Sequence, residues 1–501
     1  MPERQQPESP PRLKILMVAP EVAPFVKVGG LADVLGSLPK ALARLGHDVR
    51  IVCPLYGSIQ VQDHWTAIPQ PLIVNLGFGA MYGRVWETRL PGSSVPVYFI
   101  EHGQYFGRPQ PYAGPWGDHV DNDQRFTFLS RASIDLCGLL QWTPDVFHAH
   151  DWTVGLVPVY LNTTEWDTPL GGAASVMTIH NLQFQGIFRR DLLAYAGLPD
   201  SVFHPESLEA MGHLNMLKGG LYHASKITTV SPTYAREIQT PEQGYGLNHV
   251  LRYRAADLIG ILNGIDLDDW DPAKDPLLPE PFSSGELAGK AACKAAMQGE
   301  LGLAVRPEAP VFGVVSRLYD QKGLDILGRI LPRLVTKMDM QVAVLGSGDA
   351  AIEQSFRQAA TDYPDKVGLH IGYNEGLAHR IYGGSDALLM PSRFEPCGLS
   401  QMYALRYGSL PVVRRTGGLA DTVVNFDEVR DTGTGFVFED ATDTALFNTI
   451  GWAVATWYDR PEAWGRLVRQ AMAQTFDWER SALIYSQVYE WACSARRARR
   501  L

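Results

Sequence analysis

The pentapeptide Gly-Gly-Leu-Ala-Asp stands at Gly29 to Asp33 and again at Gly417 to Asp421, two residues after Lys27 in the first copy and after Arg415 in the second. A glycine turn that leads into a helix leaves backbone N–H groups unpaired and directs the positive end of the helix dipole outward. With a cation beside it, such a turn suits an anion. More cations stand in VVSRLYDQKGLD, where Arg317 and Lys322 follow a run of buried-strand character and Gly323 opens a helix. From there both reach over the carboxyl edge of a sheet, where open α/β sheets bind ligands. Two loop cations alone are ordinary surface charges; beside two anion-type turns they point to phosphates.

Other residues carry chemistry with alternatives open. Glu395 precedes Gly398 at the start of an amphipathic helix, where a carboxylate either caps the helix or meets a ligand. The amides of Cys397, Gly398 and Leu399 can hold a phosphate or sugar oxygen, while Cys397 has no adjacent histidine to make it a nucleophile and reads as a buried thiol. His148 and His150 share one strand face, with Asp151 next. That is the corner of a metal site, but no further ligand completes it. His180 and Asn181 end the run ASVMTIH, at another carboxyl edge, as ligand contacts or as a structural turn. Tyr112 and Trp116 lie in a Gly/Pro-rich loop, as stacking faces for sugars or as anchors of the loop. LGSGDAAIE has Gly346 and Gly348 but no third glycine, which weakens a nicotinamide dehydrogenase reading.

The elements that position these residues alternate. From Lys14 onward, short β-branched runs alternate with helical patterns, and after Leu258 to Gly264 a second series begins with VFGVVSRL. This predicts α/β folding with two largely parallel sheets. A length of 501 residues, against roughly 150 per domain, fits two large domains. The expected division is a disordered lead over 1–12, a first domain over 13–250, a second over 251–478 and a terminal helix over 479–501, with a surface excursion at Asp268 to Gly285. Arg496, Arg497, Arg499 and Arg500 read as a solvated basic end. No apolar run approaches the ~20 residues of a membrane helix. The net charge of −10 excludes a global nucleic-acid footprint. Five scattered cysteines give neither a disulfide framework nor a zinc motif. With a lead that lacks an apolar core, they indicate a cytoplasmic protein, a processed plastid form being the alternative.

Assembled, the segments KVGGLADV, HAHDW, HNLQFQG, ILNGID, SRLYDQKG, GYNE, SRFEPCGLSQ and RRTGGLADTV resemble the bacterial glycogen synthase and starch synthase family, from about Lys14 to the final helix. The resemblance implies the B-type glycosyltransferase fold, two Rossmann-like domains around a deep cleft, with the last helix crossing back to the first domain. It implies transfer of glucose from ADP-glucose to the non-reducing end of an α-1,4-glucan, with retention, and with neither metal nor cofactor. By the same resemblance, Lys27, Gly29 and Gly30 meet the diphosphate, and Arg317 and Lys322 neutralise the leaving ADP. His180 and Glu395 contact the donor glucose near Cys397, Gly398 and Leu399. Asn263 and Tyr373 line the donor pocket, and Thr416 and Gly417 finish the cradle. Asp33, Asp151 and Asn181 match further active-cleft positions, Glu21 supports the first loop, and Tyr112 and Trp152 receive the acceptor. The two halves are expected to close on the donor. Rival readings are a glucan-binding protein without turnover and a transferase that uses UDP-glucose.

Overall fold

The computed structural model describes residues 12–114 and 117–500, so the lead over 1–11 and Trp116 lie outside the described residues. The β-branched runs form strands covered on both faces. Ile15 to Val18 are buried, as is every residue of Val146–His150 and Ala174–Ile179. Strands buried on both sides belong to a parallel sheet. They pair in parallel in the order Pro96–Glu101, Asp48–Pro54, Lys14–Val18, Val146–His150, Ala174–Ile179, Lys226–Thr229 and Leu258–Gly260. An antiparallel extension through Gly79–Arg89 brings this sheet to ten strands. Counted along the chain, the parallel strands run 3-2-1-4-5-6-7, and the order reverses beside Lys14–Val18.

The second series repeats the pattern. Val367–Ile371, Gln341–Gly346, Val311–Val315, Ala387–Met390, Leu410–Arg414 and Phe436–Phe438 form a six-stranded, wholly parallel sheet in the order 3-2-1-4-5-6. Both sheets are doubly wound, as in Rossmann-like domains. In each, the carboxyl ends of the first and fourth strands bound the switch point where such sheets hold ligands.

The chain divides into two compact units. One holds the residues up to Val230, Ala235–Gly264 and the chain from Trp478; the other holds Ser231–Tyr234 and Ile265–Asp477. The helix Trp478–Arg500 thus belongs to the first unit, and it buries Tyr485, Val488, Tyr489 and Ala492 at helical spacing. Its hydroxyls reach inward, Ser486 to His47 at 2.9 Å and Tyr489 to His148 at 2.9 Å.

One sequence expectation needs correction. The arginines at the end of the chain are not all solvated. Arg496 is 2% exposed; it donates to the Gly171 carbonyl at 2.8 and 2.6 Å, to the Leu161 carbonyl at 2.8 Å and to Asn162 Oδ1. The Leu161 carbonyl ends the helix Leu156–Leu161 and the Gly171 carbonyl lies in the 3-10 turn Pro169–Gly172, and the guanidinium fork satisfies both. The stretch after Asp268 does run over the surface, and it is anchored there by a few buried contacts. Trp270 stacks on Tyr403 and on His379, with centroids 3.7 and 4.0 Å apart, and the buried Asp275 accepts from His379 at 2.7 Å and from Tyr407 at 2.5 Å. Burial pushes the Asp275 carboxyl up, but these two donors outweigh it and hold it below its usual range.

Removing a buried charge that caps several carbonyls leaves them unpaired. Arg496→Ala is expected to cost about 3 kcal/mol, read as an earlier unfolding transition in urea. Arg497→Ala, at an exposed position, leaves that transition in place.

Candidate active site

In the first unit the chain leaves Lys14–Val18 and folds around a buried carboxylate. Glu21, 4% exposed, accepts at Oε1 from the Tyr112 hydroxyl at 2.5 Å, and at Oε2 from the amides of Val28 at 2.5 Å and Gly29 at 3.0 Å. Burial raises its pKa against the pull of those three donors. Two amides of the first glycine turn are therefore already occupied by Glu21, and Gly30 begins the helix Gly30–Arg44. Lys27 meets Asp33, in the first turn of that helix, at 2.7 Å with both side chains partly exposed. An ion pair of that kind contributes under about 1 kcal/mol, so a more highly charged anion can draw Lys27 away.

The fourth strand, Val146–His150, ends at Asp151, a non-glycine residue with φ 60° and ψ −179°. A backbone there is strained by about 1–3 kcal/mol and persists only where neighbours hold it. Asp151 Oδ1 accepts from the His180 amide at 2.7 Å and from the Asn181 amide at 3.5 Å. Burial lifts this carboxyl to about 7 against those two amides. Trp152 packs edge-on to Phe126, with centroids 5.0 Å apart. Asn263 is buried, and its Oδ1 has no partner among the described residues.

The histidine pair does not form a metal corner. The rings of His148 and His150 lie together, with centroids 4.0 Å apart, but both nitrogens of His148 are engaged, Nδ1 by Tyr489 and Nε2 by the Thr178 hydroxyl at 2.6 Å. His150 Nδ1 lies 3.0 Å from His180 Nε2. Among the described residues no group of three or more His, Cys, Asp and Glu is placed to hold a metal ion. Burial lowers His148 and His180 to about 3 and His150 well below its usual value, so all three rings are neutral at pH 7.

In the second unit the central feature is a partly buried ion pair. Lys322 Nζ lies 2.8 and 2.6 Å from the two oxygens of Glu395, and the Ser392 hydroxyl donates to Oε2 at 3.0 Å. One of the two readings left open above falls away. Glu395 caps no helix, because Ser400–Arg406 begins beyond it with Leu399 at its N-cap and no side-chain cap. Gln401 donates back to the carbonyls of Cys397 and Gly398, each at 3.0 Å. Arg317 is exposed, 5.7 Å from the ring centre of Tyr319. Tyr373, 83% exposed, sits between Val367–Ile371 and the helix Glu375–Gly384.

The second glycine copy does a different job from the first. At Gly417, with φ +45°, a Cβ would lie 1.9 Å from the Glu395 carbonyl, and at Gly418 it would lie 1.9 Å from that of Cys397. These glycines allow the backbone carrying Glu395 to approach, and the Gly418 amide donates to the Glu395 carbonyl at 3.1 Å. Thr416 is the N-cap of the six-residue helix Gly417–Thr422. Arg415, the counterpart of Lys27, pairs with Glu439 at 2.6 Å. Asp421, the counterpart of Asp33, accepts from the Ser231 hydroxyl at 2.5 Å and from the Thr233 amide and hydroxyl at 2.9 and 2.6 Å. Nothing in the sequence signalled that role.

A family model described as the starch synthase catalytic domain matches residues 14–253, and one described as glycosyl transferases group 1 matches residues 302–470. Glycogen synthase 1 of Geobacter sulfurreducens is 51% identical over 97% of both chains. The chain belongs to the glycogen and starch synthase family. Glycogen synthase of Anaeromyxobacter dehalogenans is likewise 51% identical, over 95% of this chain and 98% of its own. Among solved structures, the catalytic domain of starch synthase IV from Arabidopsis thaliana, bound to ADP and acarbose, is 34% identical with a TM-score of 0.89, covering 97% of this chain and all of that one. A sucrose-phosphate synthase from Thermosynechococcus elongatus, 18% identical with a TM-score of 0.58, shares the fold. The architecture is the B-type glycosyltransferase one of two Rossmann-like domains, as the sequence predicted.

The buried histidines of this synthase-family chain make its stability depend on pH. Unfolded, His148 titrates near 6.5; folded, near 3. Between those values the unfolded chain binds a proton that the folded one refuses, so the stability is complete above about pH 6.5 and is lost as the pH falls. From pH 6.5 to 5 the loss from this one group is about 2 kcal/mol. Urea unfolding at both pH values should show a smaller loss in His148→Gln than in the parent; equal losses would remove His148 from this explanation.

Proposed function

We propose that the chain is a retaining glucosyltransferase that moves glucose from ADP-glucose to the non-reducing end of an α-1,4-glucan and releases ADP. The observation that carries this reading is the Lys322–Glu395 pair at the switch-point edge of a sheet whose whole chain matches glycogen synthases. The ADP in the starch synthase IV structure supports an adenine nucleotide as the leaving group. In this reading Lys27 and the Gly29–Gly30 turn, whose Gly29 amide is held by Glu21 and serves to shape it, meet the diphosphate, as do Arg317 and Lys322. Cations placed where charge grows on the departing phosphate stabilise the transition state more than the ground state. His180, Asn181 and Glu395 position the donor sugar, with the Cys397 to Leu399 backbone, Thr416 and Gly417 around it. Asn263 and Tyr373 bound the donor pocket, Asp33 and Asp151 hold its walls, and Tyr112 and Trp152 face the acceptor chain. In this reading the acceptor is received on the first unit, while both units contribute contacts to the nucleotide sugar.

Retention arises either through a covalent glucosyl-enzyme or by attack on the face that ADP leaves. Both oxygens of Glu395 are bound by Lys322, and Ser392 adds a third hydrogen bond. A carboxylate so stabilised is a poor nucleophile, which favours same-face attack with the departing phosphate taking the acceptor's proton. No helix among the described residues is long and apolar enough to cross a membrane. The cysteines are all free thiols, which favours the reducing cytoplasm as the place of action.

ADP release from ADP-glucose with added glycogen tests the reading, and UDP-glucose in its place tests the base. Turnover with ADP-glucose is expected, and none with either donor would overturn the assignment. Lys322→Ala and Glu395→Gln should each lower kcat by about 100-fold or more. A covalent adduct formed by the parent with a slow fluorinated donor, and abolished in Glu395→Gln, would contradict same-face attack.

A further inference from the structure

The contact between His150 and His180 has a direction that the heavy atoms do not state. A neutral imidazole carries one donor nitrogen and one acceptor nitrogen. Across the 3.0 Å between His150 Nδ1 and His180 Nε2, one ring must therefore donate to the other. If His180 donated, His150 would carry its proton on Nε2. That atom is buried and has no hydrogen-bond partner among the described residues. A buried N–H without an acceptor is among the rarest defects in folded proteins. If His150 donates instead, its Nε2 is a bare lone pair, and no donor hydrogen is stranded.

We infer that His150 donates its Nδ1–H to His180 and thereby fixes His180 as the Nδ1–H tautomer, so that His180 offers bound sugar a hydrogen-bond donor. The remaining geometry agrees. His180 is held at its backbone by Asp151 and at its ring by His150, and its Nδ1 makes no hydrogen bond to a described residue. His150 is itself held by its buried strand beside the tilted ring of His148, whose two nitrogens are anchored by Tyr489 and Thr178. Both members of the contact stay neutral at pH 7, because burial lowers His180 to about 3 and His150 well below its usual value. His150 is thus a positioning residue, acting through His180. Its consequence for turnover rests on the proposed role of His180 at the donor sugar; the tautomer does not.

The test is the 15N spectrum of the full chain with labelled histidine, with the His180 signals assigned by their loss in His180→Asn. The inference expects the proton of His180 on Nδ1 in the parent. It also expects it there in His150→Asn, whose amide sits where the His150 Nδ1–H was, whereas His150→Leu releases the constraint and lets the Nε2–H form appear. With ADP-glucose and glycogen, kcat/KM should fall about tenfold in His150→Leu, the value of one lost hydrogen bond, and recover in His150→Asn. A parent spectrum with the proton on Nε2 overturns the inference whatever the activity. A parent spectrum with the proton on Nδ1 in a protein that does not turn over ADP-glucose upholds the tautomer and overturns the function.

Discussion

Everything functional in this chain depends on strand order. A parallel sheet covered on both faces has no polar surface of its own, so polar side chains collect at its carboxyl edge. Where the order reverses, neighbouring loops turn away to opposite faces and leave a crevice. Both sheets reverse beside their first strand. The residues that follow the first and fourth strands are Glu21 to Gly30 and Asp151 in one unit, and Arg317 to Lys322 and Glu395 in the other. Sites so far apart in sequence are produced twice by one topological rule.

The two edges solve the burial of charge differently. In the first unit Glu21 is satisfied by a tyrosine hydroxyl and two amides, and the histidines are buried neutral, so burial is met there by hydrogen bonds to neutral groups. In the second unit a buried carboxylate is met by a partly exposed lysine, and removing Lys322 alone would strand the charge of Glu395. That arrangement holds a lysine beside a carboxylate until a stronger anion competes for it. The exposed Arg317 is free of such a structural duty.

Much of this was legible in the sequence, and the reasons differ by residue. The strand runs are apolar on both faces, and the glycine turns and cations stand directly after them, so the fold class and the edge positions follow from pattern alone. The inequality of the two Gly-Gly-Leu-Ala-Asp copies was not legible at the level of contacts. Identical residues met Glu21 and Lys27 in one place, and the Glu395 backbone, Ser231 and Thr233 in the other. Arg496 looked like part of a basic tail because nothing local reveals the unpaired carbonyls of residues 161 and 171. Trp270 looked like a loop residue because its partners Tyr403 and His379 lie more than a hundred positions on. The part His150 plays beside His180 was hidden because strand spacing reports a shared face and says nothing of which nitrogen meets which neighbour.

The central claim is that the cations at the carboxyl edge exist to hold a nucleoside diphosphate. Arg317 tests it most cleanly, since it is exposed and its replacement should disturb no packing. Calorimetric titration of ADP into the full chain and into Arg317→Ala is the direct measurement. The account predicts binding weakened by about tenfold or more with an unchanged unfolding transition; equal affinity for ADP in the two proteins would contradict it.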